Sequence, residues 1–283
     1  MANEINSVII TSMDSNYEKN LLKDFLYTLF NFAGYKGKVI VLDYGMSSSA
    51  VNIAQRDYEV KIVKCSRDGR QIFSVRNRDI VSVIQELPED ITHVMAVDSG
   101  DVWFQAPINE LFELCDSKIG YVESYYYMSS DLWAKKFLKI LGPHEMNKLL
   151  HNFRATKLKN AGMMCGPKDL ICCVANAINE LTVKAGLDYF GLDQVYFNYI
   201  INKLDSNLKI VLPKKYNYVL VDNKRSLILE DDKIYDNDHV LVNVVHNAGG
   251  AYGRVIKKEV GNSFDYLQYR RIRQIHTNHE EGI

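Results

Sequence analysis

An apolar run, Val94-Met95-Ala96-Val97, ends abruptly in Asp98-Ser99-Gly100-Asp101 and resumes as Val102-Trp103-Phe104. Two carboxylates at the mouth of a buried strand need a counter-charge, because an unpaired ionised carboxylate is expensive to bury. Three groups can meet that need: a bound divalent cation, a basic side chain, or a turn whose backbone N–H groups bond the Asp oxygens. The first describes a chain that handles phosphates, and the last an ordinary Asx-turn. Context adds to spacing here. The acids follow a β-like run about a third of the way along an alternating α/β chain, and ligand sites in open parallel sheets lie beyond the carboxyl ends of strands.

The elements that must position these acids are readable from hydrophobic patterning. Residues 7–13 form a buried strand, Asp14-Ser15-Asn16 a turn or cap, and 17–32 an apolar-periodic helix. A second strand covers 38–43, Ser47-Ser48-Ser49 can cap a helix through Gln55, and a third strand covers 60–63. Arg67, Arg70, Arg76 and Arg78 then run into a helix over 80–87 that stops at Pro88. Strands alternating with helices at this spacing predict a mainly parallel sheet with helices on both faces, a Rossmann-like α/β fold. The first turn, Thr11-Ser12-Met13-Asp14-Ser15-Asn16, contains no glycine. Neither G-x-G-x-x-G nor G-x-x-x-x-G-K-[ST] is present, which argues against a dehydrogenase or a P-loop NTPase.

The second half predicts a tyrosine-rich strand over 118–127, helices over 131–141 and 144–152, and a strand entered through Asn160-Ala161-Gly162. Helices over 170–185, closed by Gly186, and 193–204, begun at Gly191-Leu192-Asp193-Gln194, follow. Strands over 208–212 and 240–245 come next, the latter leading into His246-Asn247-Ala248-Gly249-Gly250. With no repeat or linker, a single domain over 1–283 is expected: a nucleotide-binding half to about 105, an acceptor half to about 255, and a tail over 256–283.

Composition excludes several classes. A formal charge of −1 offers no global basic field for nucleic acid. Five cysteines, an odd number without a C-x-x-C pair, suggest a reducing compartment, with Cys172-Cys173 packing as small hydrophobes. No run approaches the roughly 18–20 apolar residues that span a bilayer, so cytoplasmic residence is the default expectation.

Four signposts in order resemble retaining GT-A glycosyltransferases, the group of glycogenin and related bacterial galactosyltransferases. They are Ile10-Thr11-Ser12, Val97-Asp98-Ser99-Gly100-Asp101-Val102, Asn160-Ala161-Gly162-Met163-Met164, and Leu192-Asp193-Gln194 followed by His246-Asn247-Ala248-Gly249-Gly250. The resemblance covers roughly residues 7–253. It implies a GT-A fold and transfer of a sugar from a nucleotide sugar, with UDP the expected carrier, to a hydroxyl of a glycan or lipid-linked glycan. That family's strand-terminal motif is usually Asp-x-Asp, whereas two residues separate the acids here.

By resemblance, Asp101 and His246 hold Mn²⁺ or Mg²⁺, and Asp98 either joins them or bonds the ribose hydroxyls while Ser99 or Gly100 lends a backbone N–H. Thr11 and Ser12 would contact the nucleobase, with Tyr17 as a stacking face, and Arg76 and Arg78 would lie over the donor phosphates. Asn160 and Gly162 would sit beneath the transferred sugar; Asp193 and Gln194 would contact donor sugar and acceptor, with Asp193 available as a base in an inverting enzyme. Each has a plainer reading. Thr11 and Ser12 can cap a helix, the arginines can form a solvated face, Asn-Ala-Gly can be a turn, Asp193 an N-cap, and His246 a histidine bonded at a strand end. The aromatic and basic stretch 264–273 could lie on an anionic bilayer as a peripheral contact, fold over the donor, or pack as an amphipathic helix. The altered acid spacing keeps a second class open, a non-catalytic nucleotide-sugar or glycan-binding module. A metal phosphohydrolase lacks a supporting His/Asp cluster.

Overall fold

The computed structural model describes residues 5–128, 143–153, 155–223, 227–231 and 233–248. The expected helix over 131–141, Gly249-Gly250 and the tail over 256–283 lie outside them. A seven-stranded sheet is built from β1 (Ser7–Met13), β2 (Lys38–Asp43), β3 (Lys61–Lys64), β4 (His93–Val97), β6 (Ile119–Tyr121), β9 (Met163–Pro167) and β10 (Lys209–Val211), in the order β10-β6-β9-β4-β1-β2-β3. Its four N-terminal strands are parallel, and β9 runs antiparallel between β4 and β6. A separate three-stranded sheet joins β5 (Val102–Phe104), β11 (Tyr218–Val219) and β14 (Val244–His246), and β12 (Ile228–Glu230) pairs antiparallel with β13 (Lys233–Tyr235).

The central strands are apolar on both sides because both sides are covered. Ile9 and Met13 of β1 pack with Leu21, Phe25 and Leu29 of the helical segment 18–31. Val8 and Ile10 face the opposite layer, with Val75 and Ile80 of the Ile72–Gln85 helix and Ile171 of the Lys168–Ala185 helix. Strand β5 is tied to segment 18–31 by Phe104 N–H donating to the Thr28 hydroxyl at 2.9 Å and by an edge-on Phe25–Phe104 contact. The acids between β4 and β5 therefore hang between two fixed strands.

Several expected boundaries shift for identifiable reasons. The helix expected over 80–87 begins at Ile72, because its N-terminus is capped by a residue distant in sequence: Asp188 accepts from Gln71 N–H at 3.0 Å and from the Ser74 hydroxyl at 2.6 Å. The stretch 118–127 divides, since β7 (Glu123–Tyr127) leaves the main sheet to pair with β8 (Lys157–Lys159). The strand expected over 240–245 is confined to Val244–His246, because Val242 and Asn243 N–H groups donate instead to Ile234 and Lys215 carbonyls. Ser47 does cap the Ser48–Tyr58 helix, accepting from Ala50 N–H. All five cysteines are free. Contrary to expectation, Cys173 is exposed, on the outer face of its helix, while Cys172 is half-buried. No helix among the described residues is long and apolar enough to cross a membrane.

Candidate active site

Asp98, Asp101 and His246 converge although His246 lies near the far end of the chain. Asp98 follows β4 directly, and its N–H donates to the Gly162 carbonyl at 2.8 Å. Antiparallel pairing of β14 with β5 sets His246 opposite Val102, one residue from Asp101, and Asn247 N–H closes the pair on the Asp101 carbonyl at 2.8 Å. His246 Nε2 is 3.4 Å from Asp101 Oδ1 and 3.9 Å from Asp98 Oδ2. One ligand atom from each of the three lies within 4.8 Å of the others.

A carboxamide chain fixes the imidazole. Asn160 Oδ1 accepts from Gly162 N–H at 2.9 Å, so this atom is an oxygen and the turn reading of Asn-Ala-Gly is realised. Asn217 Nδ2 donates to the same oxygen at 3.2 Å, which turns Asn217 Oδ1 towards His246 Nδ1 at 2.9 Å. A carbonyl oxygen only accepts, so Nδ1 carries the proton and Nε2 presents its other face to the acids. Asn217→Ala is expected to weaken divalent-cation binding by about 10–100-fold, as losses behind a ligating histidine do. A Mn²⁺ titration reads this directly, and unchanged affinity would remove Asn217 from the site.

Gly162 is where the chain must come close. A Cβ there would lie 2.7 Å from Asp98 Oδ2, 2.9 Å from Asn160 Oδ1, and against the His246 ring. Arg76 joins the cluster from the Ile72–Gln85 helix, donating to Asp98 Oδ1 and, at 2.6 Å, to Asp193 Oδ2. Its guanidinium also faces the Phe73 ring, which meets Phe190 edge-on at 4.8 Å. Asp193 uses its other oxygen on Gln194 N–H at 2.9 Å, and its side chain is only 6% exposed. It sits inside the first turn of the Leu192–Lys203 helix; Gly191, not Asp193, occupies the cap position. Gln194 Oε1 accepts from Ala161 N–H at 3.1 Å, binding that helix to the Asn160 turn.

Not every expected residue arrives. Thr11 lines the cleft bordered by Arg76 and Asp98, and its hydroxyl is buried with no hydrogen-bond partner among the described residues. Ser12 lines the same cleft. Ser99 is buried and donates weakly to the Ser12 carbonyl at 3.4 Å, lashing the acidic turn to β1. Tyr17 is 57% exposed with its ring against Gly100, a position compatible with a stacking face. Arg78 points elsewhere, since two residues turn a helix by about 200°. It is occupied by Asp79, Asp68 and the Ser66 carbonyl. Neither Asn217 nor Asn77 belongs to a sequence motif, and an isolated Asn carries no pattern.

Electrostatics match the geometry. Burial pulls the His246 imidazole towards neutrality, but the carboxylates of Asp101 and Asp98 outweigh it and hold its pKa above the ordinary value. Burial also lifts Asp98 above the usual carboxylate range, against the opposing pull of Arg76 and His246. The cluster thus holds a proton where a cation would serve as counter-charge. One ligand atom from each of the three residues lies close enough to the others for the group to converge on a single cation. Two carboxylates suit Mg²⁺ or Mn²⁺, and the imidazole favours Mn²⁺. The residues fit such an ion.

A mainly parallel sheet covered on both faces, with this cluster beyond the end of β4, defines the chain as having a GT-A fold. No family model and no curated protein matches the sequence. Among solved structures, an active-site mutant of LgtC is similar with a TM-score of 0.59 at 14% identity, over 96% of this chain and 95% of that one. The galactosyltransferase LgtC in complex with donor and acceptor sugar analogs is similar with a TM-score of 0.58 at 15% identity, over the same shares of each chain. At these identities the likeness establishes the fold.

Proposed function

We propose that this protein is a glycosyltransferase that moves a sugar from a nucleotide sugar, with UDP as carrier, to a hydroxyl of a glycan or glycoconjugate. The observation that carries the reading is the convergence of Asp98, Asp101 and His246 beyond β4 in a GT-A fold. The wider acid spacing, which left a non-catalytic binding module open, does not separate the two carboxylates. Residues to about 105 then form the nucleotide half and those from about 106 to 255 the acceptor half.

Asp98, Asp101 and His246 would hold the divalent ion, which neutralises charge developing on the departing diphosphate. Arg76 fixes Asp98 and Asp193 relative to each other, and Gln194 and Asn160 hold the Asn160–Gly162 turn at the edge of the cleft. In the reaction, the bond between the anomeric carbon and the phosphate oxygen breaks and one to the acceptor oxygen forms. The acceptor proton passes to the departing diphosphate. Retention is favoured, because both Asp193 oxygens are already engaged and the side chain is buried, a poor arrangement for a general base.

Thermal unfolding with UDP is the test. A ligand present at 100 times its Kd and binding only the folded state adds about 2.7 kcal/mol, so UDP with Mn²⁺ should raise Tm by several degrees and chelation should abolish the rise. A chelator-insensitive shift would refute the metal assignment, and no shift with any nucleotide would refute the donor class.

A further inference from the structure

Beneath the site, between β1, β4 and β9 on one side and the Ile72–Gln85 helix on the other, lies a cleft open to solvent. Its inner wall is apolar, formed by Ile10, Ile80, Ala96 and Met164 of a single core cluster. One polar group intrudes on it. Asn77 is 7% exposed, lines the cleft, and its carboxamide has no hydrogen-bond partner among the described residues. A carboxamide that faces a cleft with no protein partner keeps its donors and its acceptor available to a bound group.

The cleft adjoins the proposed donor site directly, because Arg76, Asp98, Ala161 and Gly162 line it too. A sugar attached to a diphosphate at the Asp98–Asp101–His246 cluster would therefore turn one substituent into it. A carboxamide offers two N–H donors and one carbonyl acceptor. The complementary substituent is another amide, and the apolar wall calls for that amide to end in a methyl group. Resting on the glycosyltransferase reading above, we propose that the donor is a nucleotide-linked N-acetylhexosamine, its acetamido group bonded to Asn77 and its methyl seated on Ile80 and Met164. A hydroxyl in the same place would leave the Asn77 amide partly unmet and the apolar wall wet.

The test compares UDP-N-acetylhexosamines with the matching UDP-hexoses on the full chain with Mn²⁺, reading both affinity and UDP release. The wild type should favour the acetamido donor by at least tenfold, since sites that hydrogen-bond a substituent discriminate strongly against analogues lacking it. Asn77→Leu, similar in size but apolar, should bring the two donors within about threefold, by weakening the acetamido donor. Equal binding of both donors by the wild type overturns the proposal even if the variant fails to fold, and so does a folded Asn77→Leu protein that keeps the preference. Failure of UDP itself to bind with Mn²⁺ would instead overturn the glycosyltransferase reading, and this inference with it.

Discussion

Asp101→Ala is expected to lower turnover on UDP-sugar by on the order of 10²–10³-fold, the cost of losing one charge-stabilising contact to a developing anion, and to abolish the Mn²⁺-dependent part of the UDP thermal shift. The two acids should not behave alike. Asp98 gives one oxygen to Arg76 and turns the other to His246, so it is shared between the cation cluster and the Arg76–Asp193 pair. Asp101 Oδ1 is the carboxylate oxygen nearer to Nε2 of His246. Asp101→Ala should therefore cost metal dependence, whereas Asp98→Ala should also release Arg76 from one of its two carboxylates. Single-turnover assays across a Mn²⁺ series, with melting curves alongside, separate the two. Full Mn²⁺-dependent activity in Asp101→Ala would show that the cluster is not the metal site.

Arg76→Ala should be the most destabilising change in the site. It strips a buried guanidinium, 11% exposed, from two carboxylates at once, and losing one partner of a buried ion pair costs about 3–5 kcal/mol. For a chain of this size that corresponds to a fall in Tm on the order of 10 °C. Adding Asp193→Asn should recover part of the stability, because one of the two stranded charges is gone, but none of the activity, because Asp98 still lacks the guanidinium that fixes it. A double-mutant cycle by chemical denaturation measures this coupling. Additive losses would mean that Arg76 and Asp193 do not act as a unit.

The parts of this site that could be read in the sequence were those whose partners are close in the chain. Asp98 and Asp101 follow an unbroken apolar strand, so their exposure at a carboxyl edge was implied by the run itself. The Asn160–Gly162 turn was legible because an Asn side chain bonding the N–H two residues on is a local device. The start of the Ile72–Gln85 helix was not, because its cap is Asp188 and because Arg76, Asn77, Arg78 and Asp79 interrupt the apolar periodicity. That interruption is where function enters: Arg76 and Asn77 point into the cleft while Arg78 points away from the cluster.

The chain's own order of residues determined the alternation of strands and helices, the parallel character of the first four strands, and the acidic turn, since each follows from the period of apolar side chains and from local breakers. Tertiary structure alone decided which distant groups meet that turn. The register of β14 on β5 delivers His246, the carboxamide pair of Asn160 and Asn217 chooses its tautomer, and helix packing brings Arg76 to Asp98 and Asp193. Those meetings depend on pairing between strands and helices far apart in the chain, and no local pattern of side chains encodes a partner that the backbone reaches only after folding.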